Sequence, residues 1–209
     1  MFWKRVLLLG PHADDVEVSM GGTISKLVRS DCEIRVIVFS LSGLTKENGE
    51  AILKRECLAS LATLGVQKKD VVFLDFKTRR FNESRQDILE ILVKERHDFN
   101  PDCVFVPSFY DIHQDHKVVC WEGIRAFKHS TILGYEELWN KFFSKTNFFV
   151  KLEEIDIIRK IEAMNKYKSQ IEIGRSYFSE DYIKSLARVQ GQRIGCKYAE
   201  GFDALRVIF

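Results

Sequence analysis

No sign of charge dominates this chain, and that closes several routes at once. With 32 basic and 30 acidic residues in 209, the formal charge is +2. Such a balance gives no electrostatic reason to expect a nucleic acid or a membrane surface as partner. No apolar run approaches the roughly 20 residues that a membrane-spanning helix needs. The first run, Val6 to Leu9, is short and ends in a polar turn, so it does not read as a signal peptide. A Cys-x-x-Cys pair is absent, which removes the usual zinc site built of cysteines. The five cysteines (Cys32, Cys57, Cys103, Cys120, Cys196) are odd in number and scattered. Cys32, Cys103 and Cys120 lie in or beside apolar segments, so buried free thiols and a reducing, cytoplasmic compartment are expected. No Gly-x-Gly-x-x-Gly follows the first apolar run, and Ser40 and Ser42 lack the Gly-x-Ser-x-Gly turn. Dinucleotide binding and nucleophilic serine chemistry are therefore both poorly supported. Linkers, low-complexity tracts and repeats are missing too, and the length fits a single domain, 1–209.

What the chain does carry is two polar clusters, each at the end of an apolar run. Val6-Leu7-Leu8-Leu9 reads as a strand buried on both faces, as at the centre of a parallel sheet, and Gly10-Pro11 stops it. His12, Asp14 and Asp15 follow within four positions. Met20-Gly21-Gly22-Thr23 then opens a helical pattern over about 20–30, with Ile24, Leu27 and Val28 on one face. The second cluster, Ser108 to His116, contains His113, Asp115 and His116 and follows the run Cys103 to Val106. A polar turn between strand and helix sits at the carboxyl end of the strand, where open α/β sheets bind ligands. If both strands belong to one parallel sheet, the two clusters share an edge and converge.

The remaining pattern supplies such a sheet. Glu33 to Phe39 reads as a second strand, Ser40 to Asn48 as a polar loop bordering the site, and Glu50 to Leu64 as a helix closed by Gly65. Val71 to Leu74 reads as a third strand, and Lys77, Arg79 and Arg80 as part of a solvated basic loop. Ile88, Leu89, Ile91 and Leu92 mark a helix that Pro101 cannot continue, and Val118 to Phe127 another. From Leu133 the pattern changes. Residues 134–138 and 147–150 read as short strands, Ile155, Ile158, Ile161 and Tyr167 as a helical face, 182–189 as a helix and 204–209 as a closing strand. Phe142, Phe143, Phe148 and Phe149 are expected to be buried beneath this part. The fold class is α/β: a Rossmann-like, mainly parallel sheet flanked by helices over 1–130, with a small C-terminal α+β cap over 131–209.

Chemically, the candidate groups are His12, His113 and His116 with Asp14, Asp15 and Asp115. His12 and Asp15 are three apart, as are His113 and His116, so a turn or a helical first turn puts each pair on one side. A catalytic zinc needs three protein ligands and one open position, and two histidines with one carboxylate supply that set. The remaining acids and histidine are then free for proton transfer. Taken singly, the plainer readings are strong: Asp14 and Asp15 as helix caps, His113 and His116 as surface histidines. Neither explains why three of only five histidines fall in two clusters, each behind a buried strand. A metal-dependent hydrolase is the leading reading. A phosphoesterase with two metals about 4 Å apart is a second, and a non-catalytic small-molecule-binding module of Rossmann-like form a third.

His12-Ala13-Asp14-Asp15-Val16-Glu17, followed by Gly21-Gly22-Thr23 and later by His113-Gln114-Asp115-His116, resembles the LmbE-like, or PIG-L, family of zinc-dependent N-deacetylases. Leu64-Gly65-Val66, Tyr167-Lys168-Ser169-Gln170 and Tyr198-Ala199-Glu200-Gly201-Phe202 extend the likeness along nearly the whole chain. The His-Ala-Asp-Asp-Val-Glu form is most similar to the bacterial branch that includes bacillithiol-pathway deacetylases. The resemblance implies removal of an acyl group, usually acetyl, from an N-acetylglucosamine-type sugar or its glycoside. It implies metal ligation by His12, Asp15 and His116 and a general base at Asp14. It implies that His113 steadies the oxyanion or protonates the leaving amine, and that Asp115 pairs with a site histidine. Zn2+ is the implied metal, and a His-His-Asp set accepts Fe2+ as well. The family often forms oligomers, so a homo-oligomer is compatible. The family's usual arginine upstream of the second helix is not at its expected place, with Lys54 and Arg55 as substitutes. Its Leu-Pro-Asp loop is Asp75-Phe76-Lys77-Thr78 here.

Overall fold

The computed structural model describes residues 3–41 and 48–208. The apolar run at the start becomes β1 (Arg5–His12), and its alternation sends side chains to both faces of the sheet. Val6 and Leu8 join one apolar cluster, Leu7 and Leu9 the other, and all four are fully buried. β1 pairs in parallel with β2 (Glu33–Ser40) on one side and with β4 (Cys103–Pro107) on the other. With β3 (Val71–Phe73), β5 (Thr131–Tyr135), β6 (Phe148–Leu152) and β7 (Tyr198–Arg206), the sheet order is β3-β2-β1-β4-β5-β7-β6. The first five positions are parallel, β7 runs antiparallel to β5, and the edge strand β6 pairs antiparallel with β7. The order turns back between β1 and β4, so the crevice beyond their carboxyl ends is the switch point where such sheets take ligands.

Helices cover both faces. α1 (Asp15–Arg29) and α2 (Gly49–Thr63) pack with α5 (Glu154–Met164) on one, and α3 (Arg85–Asp98) with α4 (Gln114–Ala126) on the other. α6 (Lys168–Glu172) and α7 (Glu180–Gln192) complete the set among the described residues. α1 begins at Asp15 rather than near residue 20, but it breaks at Met20, whose φ of −141° is not helical. The second half starts afresh there, and the Glu200 carboxylate accepts from the Gly22 and Thr23 amides at 3.1 and 2.6 Å, completing the turn as a cap would. The helical pattern beginning at 20 in the sequence is therefore a real start, inside a longer element. Lys160 balances Glu200 at 2.7 Å, and a Cβ on Gly21 would lie 2.9 Å from the Lys160 side chain, so the approach needs glycine.

Several boundaries differ from the sequence reading. α4 starts at Gln114, four residues before the expected 118, because His113 caps it by accepting from the Asp115 amide. That start puts Asp115 and His116 in the first helical turn. β5 covers 131–135 instead of 134–138, and β7 covers 198–206 instead of 204–209. Both last strands join the main sheet, so the α+β segment after residue 130 extends it. Tyr167 lies between α5 and α6, where its hydroxyl donates to buried Glu17 at 2.7 Å. Phe142 and Phe143 are 87% and 57% exposed, against the expectation of burial. In that loop Lys141 and Ser144 bond buried Glu136, and the phenylalanines are left outside. Phe148 and Phe149 are half-buried. All five cysteines are free thiols, with Cys57, Cys103 and Cys120 buried. Most of the loop expected to border the site, 42–47, lies outside the described residues. No helix among the described residues is long and apolar enough to cross a membrane.

Candidate active site

The two clusters meet where β1 and β4 end. His12 is the last residue of β1, Asp14 and Asp15 open α1, and His113, Asp115 and His116 open α4. Five of the six residues named from the sequence line one crevice, and Asp115 stands buried behind His12. Three donor atoms form a nearly equilateral triangle. His12 Nδ1 lies 3.4 Å from Asp15 Oδ2, His116 Nε2 lies 3.4 Å from the same oxygen, and the two nitrogens are 3.4 Å apart. Donors about 2.0–2.1 Å from a tetrahedral zinc are about 3.3–3.4 Å apart, so these residues fit the ion without rearrangement. A triangle also leaves the fourth corner open.

The outer nitrogens fix which ring atoms face inward. His12 Nε2 pairs with Asp115 Oδ2 at 3.1 Å, and His116 Nδ1 with Asp111 Oδ2 at 2.8 Å. A carboxylate behind each imidazole holds the proton outside and turns the lone pair to the triangle. Asp111 and Tyr110 belong to the same polar stretch as His113, but neither reaches the cavity. Asp111 is buried behind His116, and Tyr110 packs on Phe109 and Phe143. Asp115 also accepts from the Arg79 amide at 2.6 Å, which holds Arg79 at a left-handed φ of 67°.

Asp14 sits just outside the triangle. It is buried at 6% exposure with a φ of 96°, a conformation a non-glycine residue adopts at a cost. Its side chain makes no cap bond to α1, and Asp15 Oδ2 turns back to the His12 amide at 2.7 Å. Helix capping therefore does not explain either aspartate. Burial and the neighbouring Asp15 push the Asp14 carboxyl up, opposed by Arg175. Burial would raise Asp15 too, but His116 and His12 hold it well below the usual range. His12 is pulled down by burial, yet Asp15 and Asp115 outweigh that and bring it to about 10. His113 goes the other way, to about 4, through burial and the facing His116 and His12. One histidine is thus charged and its neighbour neutral at the same pH.

A cavity of about 340 Å³ opens onto the triangle, and most of the groups on its outer walls lie outside the two polar clusters. Glu137, Trp139 and Asn140 come from the turn after β5, and Gln170, Arg175 and Tyr177 from the segment around α6. Arg175 Nη1 stands 3.6 Å from Asp14 Oδ2. The proposed substitutes for a missing family arginine, Lys54 and Arg55, do not line the cavity, and Lys54 lies over Phe73. Arg79 does line it, whereas Lys77 is exposed and Arg80 pairs with Glu83. Only the Tyr167-Lys168-Ser169-Gln170 motif pointed to this wall, through Gln170.

Residues 7–127, which carry both clusters, match the family model described as PIG-L, GlcNAc-PI de-N-acetylase. The chain belongs to this family. It is an enzyme of the N-deacetylase class. The diacetylchitobiose deacetylase of Thermococcus kodakarensis is 27% identical over 99% of this chain and 85% of its own length. An Escherichia coli protein named as the uncharacterised deacetylase YaiS is 27% identical over 79% of the chain and 91% of its own. Among solved structures, the N,N'-diacetylchitobiose deacetylase of Pyrococcus horikoshii superposes with a TM-score of 0.77 at 27% identity, covering 98% of this chain and 84% of that one.

Proposed function

We propose that this PIG-L-family chain removes an N-acyl group, acetyl in the first instance, from an amino sugar or its glycoside, with a divalent metal at the triangle. The observation that carries the reading is the set of three donors 3.4 Å apart with the buried Asp14 beside it. His12, Asp15 and His116 would hold the ion, Zn2+ in the first instance, in a donor set that also accepts Fe2+. Bound there, such an ion would supply a Lewis acid for an amide carbonyl and a water of pKa about 7. Every other step belongs to the chain. Asp14 takes the proton from the attacking water, and its position outside the triangle keeps its carboxylate available for that. His113, the neutral neighbour of two ligating histidines, faces the developing charge on the carbonyl oxygen and the leaving amine. Asp115 and Asp111 keep His12 and His116 turned to the ion. The likeness to diacetylchitobiose deacetylases supports an N-acetylated amino sugar as substrate.

The test is acetate release from N-acetylglucosamine, its β-linked dimer and other N-acetylated hexosamines, before and after chelation and after zinc is restored. Turnover that vanishes with the metal and returns with it supports the reading. Cleavage of phosphate esters by the same preparation, with no acetate released, would replace it with the two-metal alternative.

A further inference from the structure

The metal triangle explains the floor of the cavity but not its outer wall. There Trp139 and Tyr177 stack with ring centroids 4.1 Å apart and planes inclined by 15°, and both line the cavity. They belong to separate segments 38 residues apart, neither of them in the polar clusters. Each is anchored. The Asn140 amide donates to the Glu137 carbonyl and its own carbonyl accepts from the Ile112 amide, fixing the turn that carries Trp139. Tyr177 packs on buried Phe178, which rests on buried Tyr167, and its hydroxyl accepts from Arg175 at 2.6 Å. Trp139 nevertheless stays 42% exposed. A fixed, flat, exposed aromatic face at the mouth of a catalytic cavity is a surface for another ring.

Volume says which ring. At about 340 Å³ the cavity is near the lower limit for small-molecule sites. It has room for one hexosamine with its acyl group, so whatever is attached to that sugar must emerge at the mouth, where Trp139 stands. Arg175, between Asp14 and Tyr177, is placed at the junction, with guanidinium donors for the oxygens there.

We propose that Trp139, backed by Tyr177, is a specificity-determining platform that selects substrates carrying a second sugar ring beyond the one that is deacylated. The proposal rests on the deacetylase reading above. A monosaccharide gains little from the platform, whereas a β-linked dimer lays the second ring's C–H face on the indole.

The experiment compares kcat/KM for N-acetylglucosamine and its β-linked dimer in zinc-loaded wild type, Trp139→Phe and Trp139→Ala. In parallel, quenching of tryptophan emission is titrated with each sugar. The expected result is a dimer-to-monomer preference in the wild type that falls about tenfold in Trp139→Ala, mainly through KM, and by less in Trp139→Phe. A purely structural role would lower both substrates together and leave their ratio unchanged, which would overturn the proposal. If wild type hydrolyses neither sugar, the deacetylase reading fails and the titration alone decides the platform. Tighter quenching by the dimer, lost in Trp139→Phe, then upholds it, and equal or absent quenching overturns it.

Discussion

Replacing Asp111 by asparagine tests whether the triangle depends on the carboxylates behind it. Asp111 is 1% exposed and accepts twice: from His116 Nδ1 at 2.8 Å through Oδ2, and from the His113 amide at 2.8 Å through Oδ1. Both partners are donors when His116 presents Nε2 to the metal. An asparagine has one accepting oxygen and one donating nitrogen, so it can satisfy only one of them. If it keeps His116, the buried His113 amide faces an N–H and loses about 1–3 kcal/mol. If it keeps His113, the His116 ring is pushed toward the tautomer with Nε2 protonated, which cannot ligate. Loss of such an outer partner lowers metal affinity by about 10–100-fold, or roughly 1.4–2.7 kcal/mol. Competition with a chromophoric chelator at pH 7.5 reads the affinity, and thermal unfolding with and without zinc reads the stability. Wild-type affinity within twofold, in a variant that unfolds at the wild-type temperature, would refute the reasoning.

Two further outcomes follow from other parts of the molecule. In the metal-free chain burial lowers His12, but Asp15 and Asp115 raise it to about 10, so it is protonated at neutral pH and contributes stability that is complete below its unfolded value near 6.5 and lost as the pH passes about 10. Zinc must displace that proton. Apparent affinity should therefore rise by about tenfold per unit between pH 6 and 8, and calorimetry in two buffers of different ionisation heat should find a proton released; no release would contradict the charge assigned to His12. Lys160→Met strands the buried Glu200 carboxylate that completes the second half of α1, at a cost of about 3–5 kcal/mol. That corresponds to a melting temperature lower by roughly 6–20 °C, and an unchanged value by calorimetry would show that Glu200 does not need its partner.

The parts legible in the sequence were those set by short-range pattern. Leu7, Leu8 and Leu9 announce a strand buried on both faces, and polar clusters directly behind β1 and β4 announce where a site belongs. The break in α1 was legible at Met20-Gly21-Gly22, although the partner that completes it, Glu200, lies 178 residues away. What could not be read depends on such distant pairings. Arg175 reaches Asp14 and Trp139 meets Tyr177 because the segment after α5 packs back against α1 and α2, a tertiary placement no local pattern shows. Asp111 could not be read as the partner of His116 because sequence neighbours say nothing of which way a side chain turns; it sits in the loop before α4, five residues ahead of the ring it holds. The phenylalanines at 142 and 143 misled because the loop spends its inward contacts on the buried Glu136 carboxylate, which Lys141 and Ser144 bond, and leaves the rings outside.

The most direct measurement on the central claim pairs metal content with turnover in Asp14→Asn. The variant keeps the three donors and removes only the carboxylate assigned to the water. One zinc per chain, with acetate release lower by about 10²–10⁴-fold, is the expected result. Full turnover in that variant would remove Asp14 as the base, and loss of the metal along with turnover would make it a ligand.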